Sequence, residues 1–193
     1  MAREDQVRWD RRHGRGKGID PPATLLRQIV ETDAWLLPRG LALDLACGKG
    51  RNALYLAENG FEVVAMDVSA VALAEGKRAA EEKRLSIEWR QTDLEQIELE
   101  EGGYDLIVDF NYLQRSLMAQ IKRAVRRAGY VVFETYLADQ KEIGHPKNPA
   151  FLLARNELLE IFRDFRILYY REGRFADAGA ISFRAGMLAQ RPG

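Results

Sequence analysis

Two acids and two glycines are the residues of this chain whose types and spacing indicate ligand binding. Asp44 stands near the end of the apolar run 41–46. Gly48 and Gly50 follow in a short turn, and a helix pattern begins directly after them. Glycines let the backbone approach a ligand closely, and the start of a helix offers unpaired N–H groups. A second apolar run ends in Asp67, 17 residues after Gly50, the spacing at which a carboxylate binds the hydroxyls of a ribose. The pattern predicts a site for a nucleoside-bearing cofactor.

The charge of Asp44 distinguishes between two kinds of cofactor. The run Gly48-x-Gly50-x-x-Ala53 also fits the dinucleotide fingerprint. In that case Asp44 would lie at the mouth of the strand where a pyrophosphate rests, and like charges ~4–6 Å apart in a partly dry cleft repel on the order of kcal/mol. The same carboxylate suits the ammonium and sulfonium groups of S-adenosylmethionine, whose ribose Asp67 would bind. The chain is therefore predicted to bind S-adenosylmethionine rather than a dinucleotide.

The run Asp44-Leu-Ala-Cys-Gly-Lys-Gly50 resembles the first motif of the class I S-adenosylmethionine-dependent methyltransferases, with Ala46 in the place of the first glycine. The resemblance covers nearly the whole chain. It implies an α/β fold whose doubly wound, mostly parallel seven-stranded sheet ends in an antiparallel hairpin. The segments 9–12 and 144–149 are similar to those of a narrower group, the small bacterial methyltransferases of the tellurite-resistance and thiopurine-methyltransferase kind.

The same resemblance implies which residues contact the cofactor. Asp93 and the backbone of Leu94 are similar to the pair that holds the adenine, and Asn111 follows the fourth strand beside the methyl group. Arg12 would meet the cofactor carboxylate, while Trp9 would cover the site. The predicted cofactor-binding set is Arg12, Asp44, Ala46, Gly48, Gly50, Asp67, Val68, Asp93, Leu94 and Asn111.

Alternating apolar runs predict the order of strands and helices. The predicted strands are 41–46, 61–66, 86–90, 104–110 and 129–135. The predicted helices are 51–59, 69–84, 113–127 and one near 155–163, after an earlier helix with Leu25, Leu26, Ile29 and Val30 on one face. Two further apolar runs, 165–171 and 181–189, have no helix between them and predict the terminal hairpin. Because parallel strands share one carboxyl edge, the acids and Asn111 that follow them are expected to converge there.

The long connection 137–154 is predicted to wall the pocket of the methyl acceptor, because long loops in compact domains tend to be functional. Tyr112, Tyr136 and His145 are the candidate acceptor contacts, and a packed surface loop is the alternative interpretation. The expected reaction is an in-line displacement on the activated methyl group. A thiolate, selenide or telluride acceptor would need no general base. An oxygen or nitrogen acceptor would need a catalytic group, Tyr112 or His145, to take its proton.

Composition limits the classes of partner. The 193 residues carry 29 basic and 29 acidic side chains, so the basic excess of a nucleic-acid binder is absent. A lone Cys47 and the lack of a long apolar run predict a cytoplasmic protein without a membrane segment. His13 and His145 stand at no recognisable metal-ligand spacing, so no metal is expected. The prediction is one domain over 1–193 with a mobile lid at 1–20, a small-molecule acceptor as partner, and a monomer or homodimer.

Two other functions stay open at this stage. An NAD(P)-dependent oxidoreductase is disfavoured by Asp44 and by the terminal hairpin, because such an enzyme normally continues with a sixth strand–helix unit. A non-catalytic regulatory module that binds S-adenosylmethionine would keep the cofactor edge and lack an acceptor pocket, and the sequence is compatible with it.

Overall fold

The computed structural model describes Asp10, residues 18–32, Trp35, and residues 37–177 and 180–193, apart from the side chain of Asp177. The strands are β1 Leu41–Leu45, β2 Glu62–Asp67, β3 Ile87–Gln91, β4 Tyr104–Phe110, β5 Val125–Tyr136, β6 Arg166–Asp177 and β7 Ala180–Gln190. The α-helices are α1 Thr24–Glu31, α2 Arg51–Glu58, α3 Ala70–Glu82, α4 Met118–Ala124 and α5 Glu157–Ile161. Short 3-10 helices lie at Arg115–Leu117, Ala138–Glu142 and Pro149–Phe151.

All seven strands form one sheet in the order β3-β2-β1-β4-β5-β7-β6. The first five are parallel to one another, and β7 pairs antiparallel with both β5 and β6. The predicted fold, a mostly parallel sheet with a terminal antiparallel hairpin, is confirmed. The chain order reverses between β1 and β4, and open α/β sheets bind ligands at the carboxyl end of such a reversal.

The apolar residues of the strands divide between two cores because successive side chains point to opposite faces of a sheet. Leu43 and Ile107 belong to the core on one face, and Ala42 and Val108 belong to the core on the other. Helix α1 packs on this second face through its four predicted residues, Leu25, Leu26, Ile29 and Val30. The central strands are therefore covered on both sides, and their polar atoms reach solvent mainly at the strand ends.

The predicted helix 113–127 is wrong at both ends, because a 3-10 helix at Arg115–Leu117 precedes α4, which begins only at Met118. The predicted strand start at residue 129 is wrong as well. Helix α4 stops at Ala124, and β5 begins at Val125, which is buried and pairs with Tyr104. Arg126 and Arg127, which lie inside the predicted helix, belong to the strand instead, and Arg126 bonds Asp105 at 2.8 Å. Tertiary pairing with β4 therefore overrides the helical pattern at this point.

Two smaller differences concern the terminal part of the chain. Helix α5 covers only Glu157–Ile161 of the predicted 155–163. The connection 137–154 contains two of the 3-10 helices and an isolated bridge between Leu137 and Leu153. Within the described ranges, no helix is both long enough and apolar enough to cross a membrane.

Candidate cofactor and acceptor site

The turn between β1 and α2 has left-handed backbone at three of its residues. Ala46, Gly48 and Gly50 have φ of 51°, 56° and 76°. A side chain at Gly50 would be obstructed, since its Cβ would lie 2.3 Å from the ring of Trp89. Left-handed backbone costs an L-residue such as Ala46 about 1–2 kcal/mol, and strain of this kind concentrates at functional sites. The tight turn brings the backbone at the start of α2 to the reversal point of the sheet.

Asp67, at the carboxyl end of β2, is bonded to the same turn. One of its oxygens accepts from the backbone N–H of Gly48 at 2.7 Å, and the other accepts from the backbone N–H of Ser69 at 2.8 Å. A carboxylate oxygen has two acceptor positions, so each oxygen keeps one for another donor. The position and the remaining capacity of Asp67 fit the two hydroxyls of a ribose.

Asp44 is buried in β1, and its Oδ2 atom has no hydrogen-bond partner among the described residues. The pKa of Asp44 is raised to about 7, chiefly by burial and to a smaller extent by the charge of Asp67. The backbone N–H of Ala53 and the positive charge of Arg51 act in the opposite direction. A buried carboxylate with an unpaired oxygen is stabilised by a cation, so Asp44 fits the positively charged end of S-adenosylmethionine.

A second buried carboxylate, Asp109, was missed by the sequence analysis. It lies on β4 in register with Leu45, and neither of its oxygens bonds another group in the described part of the chain. Burial, and to a smaller extent the charge of Asp44, raises the pKa of Asp109 well above its ordinary value. An acid inside the apolar run of β4 was the available signal.

Asp93 and Leu94, which are predicted to hold the adenine, follow β3, and Val68 of the predicted cofactor-binding set follows β2. Asp93 accepts from the backbone N–H of Glu95 at 3.0 Å and from Gln96 Nε2 at 2.9 Å, so its carboxylate stabilises its own turn. Leu94 is buried in the core, and Val68 is half-buried. The backbone N–H of Thr92 donates to the carbonyl of Asp67 at 2.9 Å, which brings the start of this turn to the end of β2. The adenine contact stays a prediction.

The described residues ahead of α1 run along the carboxyl edge of the sheet. The Oγ atom of Ser69, two residues after Asp67, donates to the carboxylate of Asp10 at 2.5 Å. The carbonyl of Gly18 accepts from Lys49 Nζ at 3.4 Å. That this part of the chain covers the cofactor stays a prediction. The predicted lid residues Trp9 and Arg12, and also His13, lie outside the described residues.

Asn111 is the first residue after β4 and has a left-handed φ of 64°. Its backbone N–H donates to the carbonyl of Glu134 at 2.9 Å, and its side-chain Oδ1 accepts from Arg184 Nη1 at 2.7 Å. The neighbouring Tyr112 is half-buried against the core, and its hydroxyl bonds Gln114. Asn111 therefore joins the ends of β4, β5 and β7 on the side where the methyl group is expected.

A group of charged residues beside Asn111 was also missed by the sequence analysis. Glu134 on β5 bonds Arg171 on β6 at 2.5 Å, and its other oxygen lies 3.5 Å from Arg184 on β7. The guanidinium of Arg184 stacks on the ring of Tyr136, with Cζ 4.1 Å from the ring centroid. This cluster could not be predicted from residue spacing in the sequence, because its members come from three strands. Of the predicted acceptor contacts, the structure brings Tyr136 into it.

The connection 137–154 is held from two sides. Arg115 donates to the carbonyls of Ala150 and Leu152 at 3.1 and 2.9 Å. The buried Gln140 donates to the carbonyl of His145 at 3.1 Å and accepts from the backbone N–H of Phe183 at 2.8 Å. His145 itself is exposed. The loop therefore packs against β7, while a contact of the His145 side chain with an acceptor stays a prediction.

Metal ligation is a separate question. In the described ranges, no group of three or more His, Cys, Asp or Glu side chains is arranged to hold a metal ion.

Comparisons with known proteins agree with this geometry. A family model described as a methyltransferase domain matches residues 42–132. The probable S-adenosyl-L-methionine-dependent methyltransferase TehB of Haemophilus influenzae is 31% identical over 137 residues, which are 67% of this chain and 47% of that protein. The crystal structure of TehB from the same organism is similar with a TM-score of 0.74 and 27% identity, over 88% of this chain and 63% of that one.

A second solved structure shows the fold alone. It is a SAM-dependent methyltransferase from Methanosarcina mazei with a TM-score of 0.69 and 16% identity, over 90% of this chain and 99% of that one. The present chain spans about half the length of the curated TehB proteins that it matches. By its domain family, its relatives and its fold, the chain belongs to the class I S-adenosylmethionine-dependent methyltransferases of the type that includes TehB, and its cofactor is S-adenosylmethionine.

Proposed function

We propose that this methyltransferase transfers a methyl group to a small-molecule acceptor by in-line displacement. The observation that supports cofactor binding most directly is the buried Asp44, which has an unpaired oxygen and stands two residues before the left-handed turn at 46–50. S-adenosylmethionine supplies an activated methyl group when it is bound. The task of the protein is therefore to bind, to orient and to exclude water.

Each part of the cofactor has a proposed partner. Asp44 offers negative charge to the ammonium and sulfonium end, and Asp67 binds the ribose hydroxyls with the acceptor positions that Gly48 and Ser69 leave available. Asp93, with the backbone of Leu94, holds the adenine. Contacts at the turn itself come from Ala46, Gly48 and Gly50, and further contacts from Arg12, Val68 and Asn111.

The acceptor is proposed to lie at the ends of β4 and β5, between Asn111 and the connection 137–154. Alignment of the acceptor with the methyl group suffices for a sulfur, selenium or tellurium nucleophile. An oxygen or nitrogen acceptor needs a group that takes its proton, and Tyr112 and His145 are the proposed candidates. The zero net charge supports a small molecule over a nucleic acid as partner. A cytoplasmic location and a monomeric or homodimeric state stay predictions.

Two measurements test this function. Calorimetry should show that S-adenosylmethionine and S-adenosylhomocysteine bind in the micromolar range, about −7 to −8 kcal/mol, and that NAD(P) does not compete. A methyl-transfer assay over thiols, metalloid oxyanions, phenols and amines should then find at least one acceptor. Binding of the cofactor without transfer to any of them would favour the non-catalytic regulatory module.

The acceptor side is tested with two substitutions. His145→Ala and Tyr112→Phe should lower turnover while the affinity for the cofactor changes by less than about 0.5 kcal/mol, the usual size of a surface effect. Turnover should fall less for a sulfur acceptor than for a phenol or amine, since the sulfur acceptor needs no proton transfer. Equal turnover of the variants and the parent on every acceptor would remove both residues from the site.

A further inference from the structure

We propose that Arg184 binds the negatively charged group of an anionic methyl acceptor. The inference rests on the proposed function and concerns a residue for which neither the sequence pattern nor the comparisons indicate a role. The charged group of the acceptor would lie against the guanidinium, and the nucleophilic atom of the same molecule would point toward the methyl group beside Asn111.

Arg184 lies at the edge of the sheet that carries the site. It lies near the start of β7, in register with Tyr136 at the end of β5, so its side chain belongs to the carboxyl edge where the cofactor-binding residues converge. Its Nη1 atom donates to Asn111 at 2.7 Å, and Asn111 is the residue expected beside the methyl group. Arg184 therefore stands one contact away from the reacting atoms, on the acceptor side of the site.

The charges of Glu134, Arg171 and Arg184 leave Arg184 with a weak counter-ion. Glu134 is the carboxylate of the cluster, with a side chain that is 5% exposed. Arg171 takes most of its capacity, because two guanidinium nitrogens bond one Glu134 oxygen at 2.5 and 3.1 Å. Arg184 reaches the other oxygen at 3.5 Å, the outer limit of a hydrogen bond. Among the residues that the structure describes, the cluster thus joins two cations, Arg171 and Arg184, to the single carboxylate of Glu134. A largely buried cation with a weak counter-ion is costly, so an anionic ligand is favoured there.

The guanidinium of Arg184 is held in one orientation by several neighbours. The plane of the Arg184 guanidinium is fixed by the Tyr136 ring, by Asn111 and by the bond from Nε to Ser182 Oγ at 3.0 Å. Its Nη2 atom donates to no acceptor within the described part of the chain, and the side chain keeps 14% exposure. A guanidinium held in this way presents a preorganised donor to a carboxylate or to an inorganic oxyanion. Both sources share the chemistry, and the experiment separates them.

The proposed contact adds no covalent step of its own. The acceptor nucleophile forms a bond to the methyl carbon, the carbon–sulfur bond of the sulfonium breaks, and its electron pair returns to sulfur. A thiol acceptor reacts as its thiolate and has given its proton to solvent. Arg184 keeps its charge throughout and acts by holding a group that does not react.

The test uses three thiols that share an HS–CH2–CH2 unit and differ in charge: 3-mercaptopropionate, 2-mercaptoethanol and cysteamine. Their affinities are measured by calorimetry on the protein saturated with S-adenosylhomocysteine, so the result does not depend on turnover. We expect the anionic thiol to bind roughly 10- to 100-fold more tightly than the neutral one, the ratio that a charge-assisted contact supplies, and cysteamine to bind most weakly. Propionate and sulfate as competitors distinguish a carboxylate site from a site for inorganic oxyanions.

Three variants locate the effect. Arg184→Gln should abolish the preference for the anionic thiol and leave the affinity for S-adenosylmethionine unchanged, while Arg184→Lys should keep part of it because the charge remains. Arg174→Gln removes an exposed charge from the same hairpin and should preserve the preference. Equal binding of the three thiols by the parent, or binding of none, contradicts the proposal. If the parent protein does not bind S-adenosylmethionine, this result contradicts the proposed function instead.

Discussion

Asp67 accepts a hydrogen bond of 2.7 Å from the backbone N–H of Gly48, so the acid that ends β2 holds the glycine turn that follows β1. The N–H of Ser69 donates to the other oxygen of the same carboxylate at 2.8 Å. The carboxylate therefore shapes the protein part of the site before any ligand is bound. Its substitution is expected to affect both the fold at this edge and the affinity for the cofactor.

Replacement of Asp67 separates these two effects. In Asp67→Ala we expect the affinity for S-adenosylmethionine to fall by roughly 1.5–3 kcal/mol, because charge-assisted bonds to the ribose are lost. The free energy of unfolding should fall by about 1–3 kcal/mol, because the N–H groups of Gly48 and Ser69 lose their acceptor. Calorimetry and urea denaturation measure the two quantities. Asp164→Ala, at the opposite edge of the sheet, is the control and should preserve the affinity. A folded Asp67→Ala protein with the affinity of the parent would show that Asp67 is not the ribose ligand.

The affinity for S-adenosylmethionine should depend on pH through Asp44. Burial raises the pKa of this carboxyl to about 7, so it is protonated below that pH in the protein without ligand. A cationic ligand favours the ionised carboxylate, and binding below pH 7 therefore releases a proton. The affinity should rise as the pH increases toward 7 and should then level off. Besides burial, the groups that act on the pKa of Asp44 are the backbone N–H of Ala53, Arg51 and Asp67, and Asp44 in turn raises the pKa of Asp109.

Asp44→Asn and paired buffers test this linkage. Titrations in two buffers of different ionisation enthalpy give the number of protons released by the parent, and Asp44→Asn should release fewer. The free energy of unfolding of the unliganded protein should change with pH in the opposite direction to the affinity. Because the folded state keeps a proton that the unfolded state loses near pH 4, stability should decrease between about pH 4 and 7. An affinity that is independent of pH from 5.5 to 7.5 would exclude Asp44 as the counter-charge.

The cofactor side of the site could be predicted because it depends on local sequence. Strand, glycine turn and helix follow one another between Leu41 and Glu58, and the spacing to Asp67 is fixed by one helix of ordinary length. The acceptor side could not be predicted in this way. Glu134 and Arg184 are 50 residues apart, and their contact depends on the register of β5 with β7. The register of β7 against β5 is set only when β7 has taken its place in the strand order of the whole sheet.

The predicted boundary between α4 and β5 was wrong for a related reason. The residues around Lys122 and Arg123 have good helix propensity, and Val125 continues an apolar helical pattern. Pairing of Val125 with Tyr104 places the following basic residues in a strand instead. A role for the buried Asp109 in the site was also hard to predict, because an acid in an apolar run does not indicate which groups surround it in the fold.

The left-handed turn should be more sensitive to a side chain at Gly50 than a comparable turn elsewhere. Gly50 and Gly60 have φ of 76° and 84°, but only at Gly50 would a Cβ meet the ring of Trp89. Gly60→Ala should therefore lower the free energy of unfolding by about 1–2 kcal/mol, the cost of the left-handed backbone alone. Gly50→Ala should lower it by more and should weaken S-adenosylmethionine binding as well. Thermal denaturation and calorimetry on the two variants measure the difference, and equal effects at both glycines would mean that Trp89 moves aside without cost.

The connection 137–154 should depend on Arg115 for its position. This residue bonds the carbonyls of Ala150 and Leu152 and also Glu157, whose Oε1 lies 2.6 Å from Arg115 Nε. In Arg115→Met the loop loses these bonds, so amide hydrogen exchange between residues 148 and 153 should become faster. If the loop walls the acceptor pocket, the KM for the acceptor should rise several-fold while the affinity for S-adenosylmethionine is unchanged.

The side chain of Arg115 is 45% exposed, so solvent screening limits the expected loss of stability to about 1 kcal/mol. Arg155→Met is the matched control, because Arg155 forms an exposed ion pair with Asp139 at the same loop. We expect its acceptor KM to equal that of the parent. Arg115→Lys keeps the charge but lacks the planar fork that spans two carbonyls, so its KM should lie between those of the parent and Arg115→Met. Faster exchange in the loop with an unchanged acceptor KM would show that 137–154 is a packed surface loop and not a wall of the acceptor pocket.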